Sequence, residues 1–200
     1  MAHPNTGVLP LAGTPSPGII DSLNSKWHRP ALQGFMAIVL FHWLEHLVQA
    51  YQVWVLHMPR PMAMGILGTY YPWLMKTETL HYSFALVMLV GLWVLRKGFT
   101  GTSYRWWMVS FWLQFWHHFE HFILFYQAQT HRYWFGGTVP TSIGQIWIPR
   151  IELHLIYNAI VFIPMVVAMY YHVYPPVKDM ATIVCTCARQ IRIWWRCSKV

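Results

Sequence analysis

Residues 41–46 read Phe-His-Trp-Leu-Glu-His, and residues 116–121 read Trp-His-His-Phe-Glu-His. Both stretches carry a histidine, a glutamate three positions later and a second histidine directly after the glutamate. On a helix, residues three and four positions apart lie on the same face. Each stretch therefore places two imidazoles and one carboxylate side by side. In apolar surroundings this arrangement is costly unless the polar groups find partners.

The surroundings are indeed apolar. Of the 200 residues, 56% are hydrophobic and only 10% are charged, whereas soluble domains have roughly 45–50% apolar and about 25% charged residues. This composition predicts a polytopic membrane protein whose first partner is the lipid bilayer. It argues against a soluble enzyme, a secreted disulfide scaffold and a disordered chain. The net charge of +8 does not indicate a nucleic-acid partner, because the basic residues lie at the ends of apolar runs.

Four apolar runs are long enough to cross a bilayer, which takes about 20 helical residues. They cover residues 31–56, 72–95, 105–127 and 151–174. We therefore predict an all-α membrane protein with a four-helix transmembrane bundle at residues 31–174. Before it we expect a disordered cytoplasmic tail at residues 1–30, and after it a basic cytoplasmic tail at residues 175–200.

The distribution of basic residues predicts the orientation. Of the 14 Lys and Arg residues, 10 lie in the two tails and in the turn at residues 96–105, and 4 lie on the opposite side. Cytoplasmic segments carry the excess of Lys and Arg. Both termini are therefore expected in the cytoplasm, as in a bacterial-type plasma membrane, with the loops at residues 57–71 and 128–150 outside.

The two opening stretches belong to a longer internal repeat. At an offset of 75 residues, Tyr51-Gln52 matches Tyr126-Gln127. In the second span of each half, Trp73-Leu-Met-Lys76 matches Trp147-Ile-Pro-Arg150, and His81 matches His154. These matches indicate a duplicated helical hairpin. Because each unit has two spans, the halves share an orientation and are related by a pseudo-twofold axis along the membrane normal.

All four glutamates of the chain fall in or at the edge of the spans, one per span, and each has histidine nearby. Because consecutive helices run in opposite directions, these groups lie at one level in the outer half of the membrane. Glu152 and His154 are two positions apart and do not share a face, which leaves open which of them faces the others. The candidate metal ligands are His42, Glu45, His46, Glu78, His81, His117, Glu120, His121, Glu152 and His154.

Glutamate and histidine on four helices are the ligand class of di-iron and di-manganese carboxylate proteins. The excess of histidine also suits copper and zinc. We therefore predict a binuclear metal site, with iron or copper favoured and zinc or manganese as further options. Gln49, Tyr157 and Asn158 are expected to support the ligands. The predicted function is redox or oxygen chemistry on a membrane-soluble substrate, as in a membrane-bound metal-dependent oxidoreductase.

Three alternatives stay open. A b-type cytochrome would use His46 and His121 as axial ligands of one haem. A proton or metal carrier would use the same glutamates and histidines as a relay. A non-catalytic subunit would use them to join other membrane subunits, or a second copy of the chain in a homo-oligomer.

The remaining histidines and the cysteines receive structural interpretations. His28 is assigned to the tail, His172 to the inner interface, and His118 to a face about 100° away from His117 and His121. Cys185, Cys187 and Cys197 are interpreted as cytosolic thiols, because an odd, clustered set does not indicate a disulfide framework.

The orientation is testable by cysteine labelling. In a chain whose native cysteines are replaced by serine, Met62→Cys and Thr138→Cys should react with a membrane-impermeant maleimide added outside intact cells. Lys26→Cys, in the first tail, should react only after the membrane is opened. Labelling of Met62→Cys and Thr138→Cys from the inside alone would overturn this topology.

Overall fold

The computed structural model of the protein describes residues 18–182 and Cys187, and these residues are helical with no β-strand. The described α-helices are α1 (Ile19–Leu23), α2 (His28–Trp54), α3 (Gly65–Tyr70), α4 (Pro72–Lys76), α5 (Thr79–Leu95), α6 (Gly101–Thr130) and α7 (Arg150–Val173). Short 3₁₀ turns lie at Arg60–Met62, Arg96–Gly98, Gly144–Ile146 and Val177–Thr182.

Three helical segments are long and apolar enough to cross a membrane: His28–Trp54, Thr79–Gly98 and Arg150–Val173. Helix α6 is the longest helix described, with 30 residues, but it is less apolar. Its mean hydropathy is lowered by its tryptophans and by a set of polar side chains. These polar residues are Gln114, His117, His118, Glu120 and His121.

The long helices pack in a closed order. Helix α2 contacts α5 and α7, and helix α6 also contacts α5 and α7. Consecutive helices α5, α6 and α7 are neighbours in space, as short connections favour. Helices α2 and α6, which carry the repeated histidine stretches, therefore face each other across the space between α5 and α7.

Polar side chains of α6 bind backbone carbonyls of its neighbours. Trp107 Nε1 donates to the carbonyl of Leu92 at 2.7 Å, and Gln114 Nε2 donates to the carbonyl of Ala85 at 3.0 Å, both in α5. Ser110 Oγ donates to the carbonyl of Val161 in α7 at 2.8 Å. These interhelical hydrogen bonds join α6 to both of its neighbours. They explain how a less apolar helix is integrated into the assembly.

The interior is divided into two layers along the helices. One layer is apolar and contains Leu32, Phe35, Val39, Met88, Leu92, Leu95, Phe99, Trp107, Phe111, Val161, Met165 and Ala168. The second layer is polar and is formed by the later half of α2 and α6 together with the first half of α5 and α7. The histidine stretches lie in this polar layer.

The polar layer has an inverted pattern of exposure. Along α2, Phe41, Leu44 and Leu47 are 38–49% exposed, while His42 and Glu45 are at most 4% exposed. A water-soluble protein places apolar side chains inside and charged ones outside. The reverse order is what a lipid environment favours, since lipid chains are as apolar as leucine.

The helix bounds differ from the sequence predictions in several places. The second long helix begins at Thr79 rather than at residue 72, because residues 72–76 form the separate helix α4 and Glu78 adopts a left-handed φ of 59°. Helix α6 runs from Gly101 to Thr130 rather than from residue 105 to residue 127. Within the predicted first tail, residues 19–23 form α1, residues 24–27 form a turn and residues 28–30 begin α2. The tail predictions for residues 1–17, and for most of 183–200, lie outside the described residues.

A close approach of α5 to α2 provides a test of the packing. A Cβ on Gly91 would overlap the Phe35 ring, whereas a Cβ on Gly34 in α2 would meet nothing within 4 Å. Gly91→Ala should lower the stability of the protein by about 1–3 kcal/mol, the usual cost of overpacking. Gly34→Ala should leave it unchanged or raise it by up to about 1 kcal/mol, because alanine favours a helix. Thermal unfolding in detergent measures both, and equal effects would contradict the helix contact.

Candidate metal centre

Six histidines from four helices meet in the polar layer, and each is at most 4% exposed. Helices α2 and α6 contribute two each, and α5 and α7 contribute one each. The cluster consists of His42, His46, His81, His117, His121 and His154. We call it the six-histidine cluster.

Four of the imidazoles form a closed ring. The centroid distances are 5.3 Å from His46 to His81, 5.7 Å from His81 to His121, 4.8 Å from His121 to His154 and 5.0 Å from His154 back to His46. The two remaining histidines extend this ring on opposite sides. His42 lies 4.7 Å from His46, and the distance from the His117 ring to the His121 ring is 4.5 Å.

His42 and His117 each contact one further aromatic ring. The His42 ring lies 4.9 Å from the Phe84 ring, and the His117 ring lies 4.6 Å from the Tyr157 ring. Phe84 and Tyr157 each come three residues after the histidine of their own helix, His81 or His154. Each half of the chain thus supplies three histidines and one aromatic ring in similar positions.

Two of the histidines have their tautomer set by a neighbour on their own helix. Nδ1 of His154 lies 2.6 Å from the carbonyl oxygen of Arg150 and must donate to it. Nδ1 of His46 lies 2.9 Å from Oε1 of Gln49, to which it donates. When Nδ1 carries the proton, Nε2 keeps its lone pair. This is the arrangement in which a metal-binding histidine is usually held, with its second nitrogen bonded to an oxygen.

Other ring nitrogens of the cluster are buried without a hydrogen-bond partner among the described residues. They are both nitrogens of His42, Nε2 of His46, and Nδ1 of His117 and His121. Buried polar atoms in proteins are nearly always hydrogen-bonded, so each exception calls for an explanation. Nε2 of His117 and Nε2 of His121 lie 3.0 Å apart. Two nitrogens at this separation either share one proton or point at one cation.

The donor atoms of the six-histidine cluster pack ring against ring and do not meet at one point. Among the residues that the structure describes, only a separate set, His28, His172 and Cys187, brings three donor atoms within 4.8 Å of one another. Coordination in the six-histidine cluster would therefore require rotation of the imidazoles about their side-chain bonds.

The glutamates of the two repeated stretches bind loops. The carboxylate of Glu45 accepts hydrogen bonds from the backbone N–H groups of Ile66 and Leu67 at 2.8 and 2.9 Å. The carboxylate of Glu120 accepts one from the N–H of Gly144 at 3.1 Å. Each carboxylate thus binds the segment that follows its own helix, at the start of α3 for Glu45 and at the 3₁₀ turn Gly144–Ile146 for Glu120. That both glutamates are metal ligands stays a prediction, since each carboxylate oxygen keeps a lone pair beyond its hydrogen bond. Glu120 also lines a gap beside His117 and His121.

Glu78 binds an arginine of the other half. Its two oxygens accept from both Nη atoms of Arg150, and the distance from Oε1 to Nη1 is 2.6 Å. The Glu78 side chain is 5% exposed, and its Oε2 lies 3.7 Å from Nδ1 of His81. The carboxylate of Glu78 therefore lies between Arg150 and the His81 imidazole, at the edge of the six-histidine cluster.

The choice between Glu152 and His154 is resolved by position. His154 lies inside the cluster, whereas Glu152 lies at the rim and accepts hydrogen bonds from Arg60 at 2.6 and 2.7 Å. The hydrogen bond from Arg60 to Glu152 raises the pKa of Arg60. The helix begins directly after Pro149, which puts Glu152 in its first turn, on the loop side. Glu152 is therefore not among the groups that meet.

Of the predicted supporting residues, Gln49 orients His46 and Tyr157 contacts His117, as described above. Asn158 is buried beside them, and its Nδ2 has no partner in the part of the chain that the structure describes. His118 is half-buried, outside the cluster, with its ring 5.3 Å from that of Tyr82. A narrow gap beside the cluster is lined by His117, Glu120, His121, His154 and Tyr157, among others.

Sequence reasoning missed Arg150 as part of this region. Arg150 binds Glu78 through its side chain and His154 through its carbonyl, so it touches two helices at the cluster. A signal existed in the repeat, where Arg150 matches Lys76 ahead of the histidine of each second span. The count of basic residues placed Lys76 and Arg150 on the outer side of the membrane. Nothing in the sequence pairs Arg150 with Glu78.

No family model, no curated protein and no solved structure matches this chain.

The two arginine–glutamate pairs form a matched test. Arg150→Gln leaves the buried carboxylate of Glu78 without its partner, and breaking a buried pair costs about 3–5 kcal/mol. Arg60→Gln breaks the exposed pair with Glu152, which should cost at most about 1 kcal/mol. Unfolding of both variants in the same detergent compares them. If Arg150→Gln is no more destabilising than Arg60→Gln, the buried pair does not hold α5 to α7.

Proposed function

We propose that this chain is an integral membrane metalloprotein whose six-histidine cluster binds two redox-active metal ions. Its four long helices form a transmembrane bundle built from a duplicated hairpin, with both termini in the cytoplasm and the centre in the outer half. The centre carries out redox or oxygen chemistry on a membrane-soluble substrate. The observation that carries this proposal is the set of six buried imidazoles, several of whose ring nitrogens lack a partner.

Support for a fourth membrane-spanning helix comes from the length and packing of α6. Its 30 residues extend over about 45 Å at 1.5 Å per residue, which is longer than the hydrocarbon core of about 30 Å. Its polar groups face α5 and α7, while Trp112 and Phe115 on its outer side are 61% and 48% exposed. The polar residues that lower its hydropathy are thus kept away from lipid.

Support for the duplication comes from matching contacts in the two halves. Glu45 and Glu120 each bind backbone N–H groups of the loop after their own helix, as described above. Gln52 Oε1 accepts from the N–H of Gly65 at 3.0 Å, and Gln127 Oε1 accepts from the N–H of Trp134 at 2.9 Å. Residues that match at an offset of 75 therefore have the same role in each half.

The same pairing divides the six histidines into two sets of three. One half supplies His42, His46 and His81, and the other supplies His117, His121 and His154. Two ions related by the pseudo-twofold axis would each take three imidazoles. Imidazole suits copper, zinc, iron and nickel. Copper is favoured over iron here, because the carboxylates that a di-iron site would use are bound to amides and arginines.

Two redox-active ions side by side could exchange electrons with dioxygen or with an organic substrate dissolved in the bilayer. Metal ions also polarise a bound oxygen and stabilise charge that develops on it. The protein's part is to hold the imidazoles, to exclude water and to place a proton donor nearby. The hydroxyl of Tyr157, which accepts a hydrogen bond from Trp116 Nε1 at 2.9 Å, lies next to the gap beside the cluster.

The haem alternative receives less support from the side chains. His46 and His121 would have to stand on opposite sides of a porphyrin. The ring of imidazoles is instead closed, with neighbouring centroids 4.8–5.7 Å apart, and His121 Nε2 already lies 3.0 Å from a nitrogen of His117. No slot for a macrocycle opens between these rings.

Elemental analysis and an absorption spectrum of the purified full-length protein test the proposal. After expression with copper, iron, zinc and manganese supplied together, we expect at least two copper ions per chain. A reduced-minus-oxidised spectrum with sharp haem bands would support a cytochrome instead. Protein that holds no metal under these conditions would leave a hydrogen-bonded relay and overturn the metal centre.

Neighbouring histidines of α6 provide a matched pair of variants. His121→Ala removes a member of the cluster and should weaken copper binding by at least the roughly 10- to 100-fold that loss of a supporting partner costs. His118→Ala removes a half-buried imidazole outside the cluster and should leave the copper content unchanged. A second variant, His154→Gln, keeps the size of the side chain while removing the imidazole. Size-exclusion profiles in detergent identify any variant that misfolds, and equal copper contents in all three would contradict the assignment.

A further inference from the structure

A second group of possible ligands lies at the opposite end of the helices from the six-histidine cluster. His28 begins α2, His172 lies in the last turn of α7, and Cys187 belongs to the segment after α7. One donor atom from each residue lies within 4.8 Å of the other two. At 1.5 Å per residue, His28 is about 21 Å along α2 from His42, so the two groups are separate.

Both histidines of this group are buried. His28 is 0% exposed and His172 is 5% exposed, and their ring centroids lie 5.0 Å apart. The Phe99 ring packs against both, at 5.3 Å from His28 and 4.6 Å from His172. A Cβ on Gly98 would overlap the His28 imidazole, so only glycine lets the turn after α5 approach this closely.

A hydrogen bond to the backbone determines which ring nitrogen of His28 is unprotonated. Nε2 of His28 lies 3.3 Å from the carbonyl oxygen of Leu95 and donates to it. Nδ1 therefore keeps its lone pair, and it faces Sγ of Cys187 at 4.0 Å. A carbonyl that fixes the tautomer of an imidazole is typical of metal-binding histidines.

The donor atoms are close enough to reach one ion after a small adjustment. With bond lengths of about 2.0–2.1 Å to nitrogen and about 2.3 Å to sulfur, a nitrogen and a sulfur ligand of one tetrahedral ion lie about 3.5–3.6 Å apart. The 4.0 Å between Sγ of Cys187 and Nδ1 of His28 is about half an ångström longer than this. A thiol–imidazole contact joins Cys187 to His28, and the donor atom of His172 lies within 4.8 Å of both.

We propose that His28, His172 and Cys187 form a second metal site, which binds a thiophilic closed-shell ion, Cu(I) or Zn²⁺. One thiolate and two imidazoles are soft and borderline ligands, which these ions prefer over the hard ions Mg²⁺ and Ca²⁺. The ion ties the segment at Cys187 to the first turn of α2 and the last turn of α7. The ion thereby links the beginning of α2 to the end of α7.

Cobalt is a direct probe of this site, because a thiolate bound to Co²⁺ gives a charge-transfer band in the near ultraviolet. The parent is the full chain with Cys185→Ser and Cys197→Ser, so that Cys187 is its sole thiol. Titration of this parent with Co²⁺ should produce the band, with saturation at about one thiolate-bound ion. The six-histidine cluster has no thiol and cannot give this band, so the result is independent of the function proposed above.

Two variants of this parent identify the ligands. Cys187→Ser should abolish the band, and His172→Gln should weaken Co²⁺ binding by at least about 10-fold. Size-exclusion profiles in detergent show whether each variant is still folded. A parent without the band overturns the site, and so does a band that is unchanged in His172→Gln.

Alkylation of Cys187 distinguishes the two ions. Bound metal should slow the reaction of the parent with maleimide at least tenfold, and a chelator should restore the rate. Protection by Zn²⁺ in air identifies a zinc site, whereas protection by copper only under reducing conditions identifies a Cu(I) site. Equal alkylation rates with and without both ions would overturn the proposal.

Discussion

Every buried carboxylate of this molecule must find a partner in surroundings that offer almost none, and this constraint organises the polar layer. An unpaired charge in an apolar interior costs several kcal/mol or more. Glu78 meets the constraint through Arg150, and Glu45 and Glu120 meet it through backbone N–H groups of the following loops. Because the carboxylates are satisfied in this way, the imidazoles are the groups left to face one another.

Glutamate and histidine have different roles in the polar layer, and this difference determines which metal ions would suit the six-histidine cluster. A sequence with one glutamate per span points to a carboxylate-bridged pair of metal ions. In the structure the carboxylates hold loops and helices, and the interior donors are nitrogens. Under the proposed function, this set of nitrogen donors favours copper over iron or manganese. The identity of the residues is the same in both cases, and only their partners differ.

The sequence predicted the helical fold and the histidines that meet, because both depend on local spacing. His42 and His46 share a face of α2, as His117 and His121 do on α6, by helical periodicity alone. The repeat favoured His154 and the charge pattern favoured Glu152, so the sequence left that choice open; His154 is the residue in the cluster. The partners of the glutamates depend on loops and on the packing of distant helices. The bond from Glu45 to Leu67 and the pair of Glu78 with Arg150 join residues 22 and 72 positions apart, and no spacing rule reaches that far.

Arg150 couples the relative position of α5 and α7 to the orientation of the His154 ring. Its guanidinium binds Glu78, which lies directly before α5. Its carbonyl oxygen accepts a hydrogen bond from Nδ1 of His154, one turn later in α7. A slide of α5 along α7 by even one residue would therefore pull on the residue that sets the rotation of a central imidazole. The ion pair fixes the axial alignment of two helices, and through it the direction in which a ring nitrogen points. A displacement of the loop that precedes α7 would therefore rotate the His154 ring.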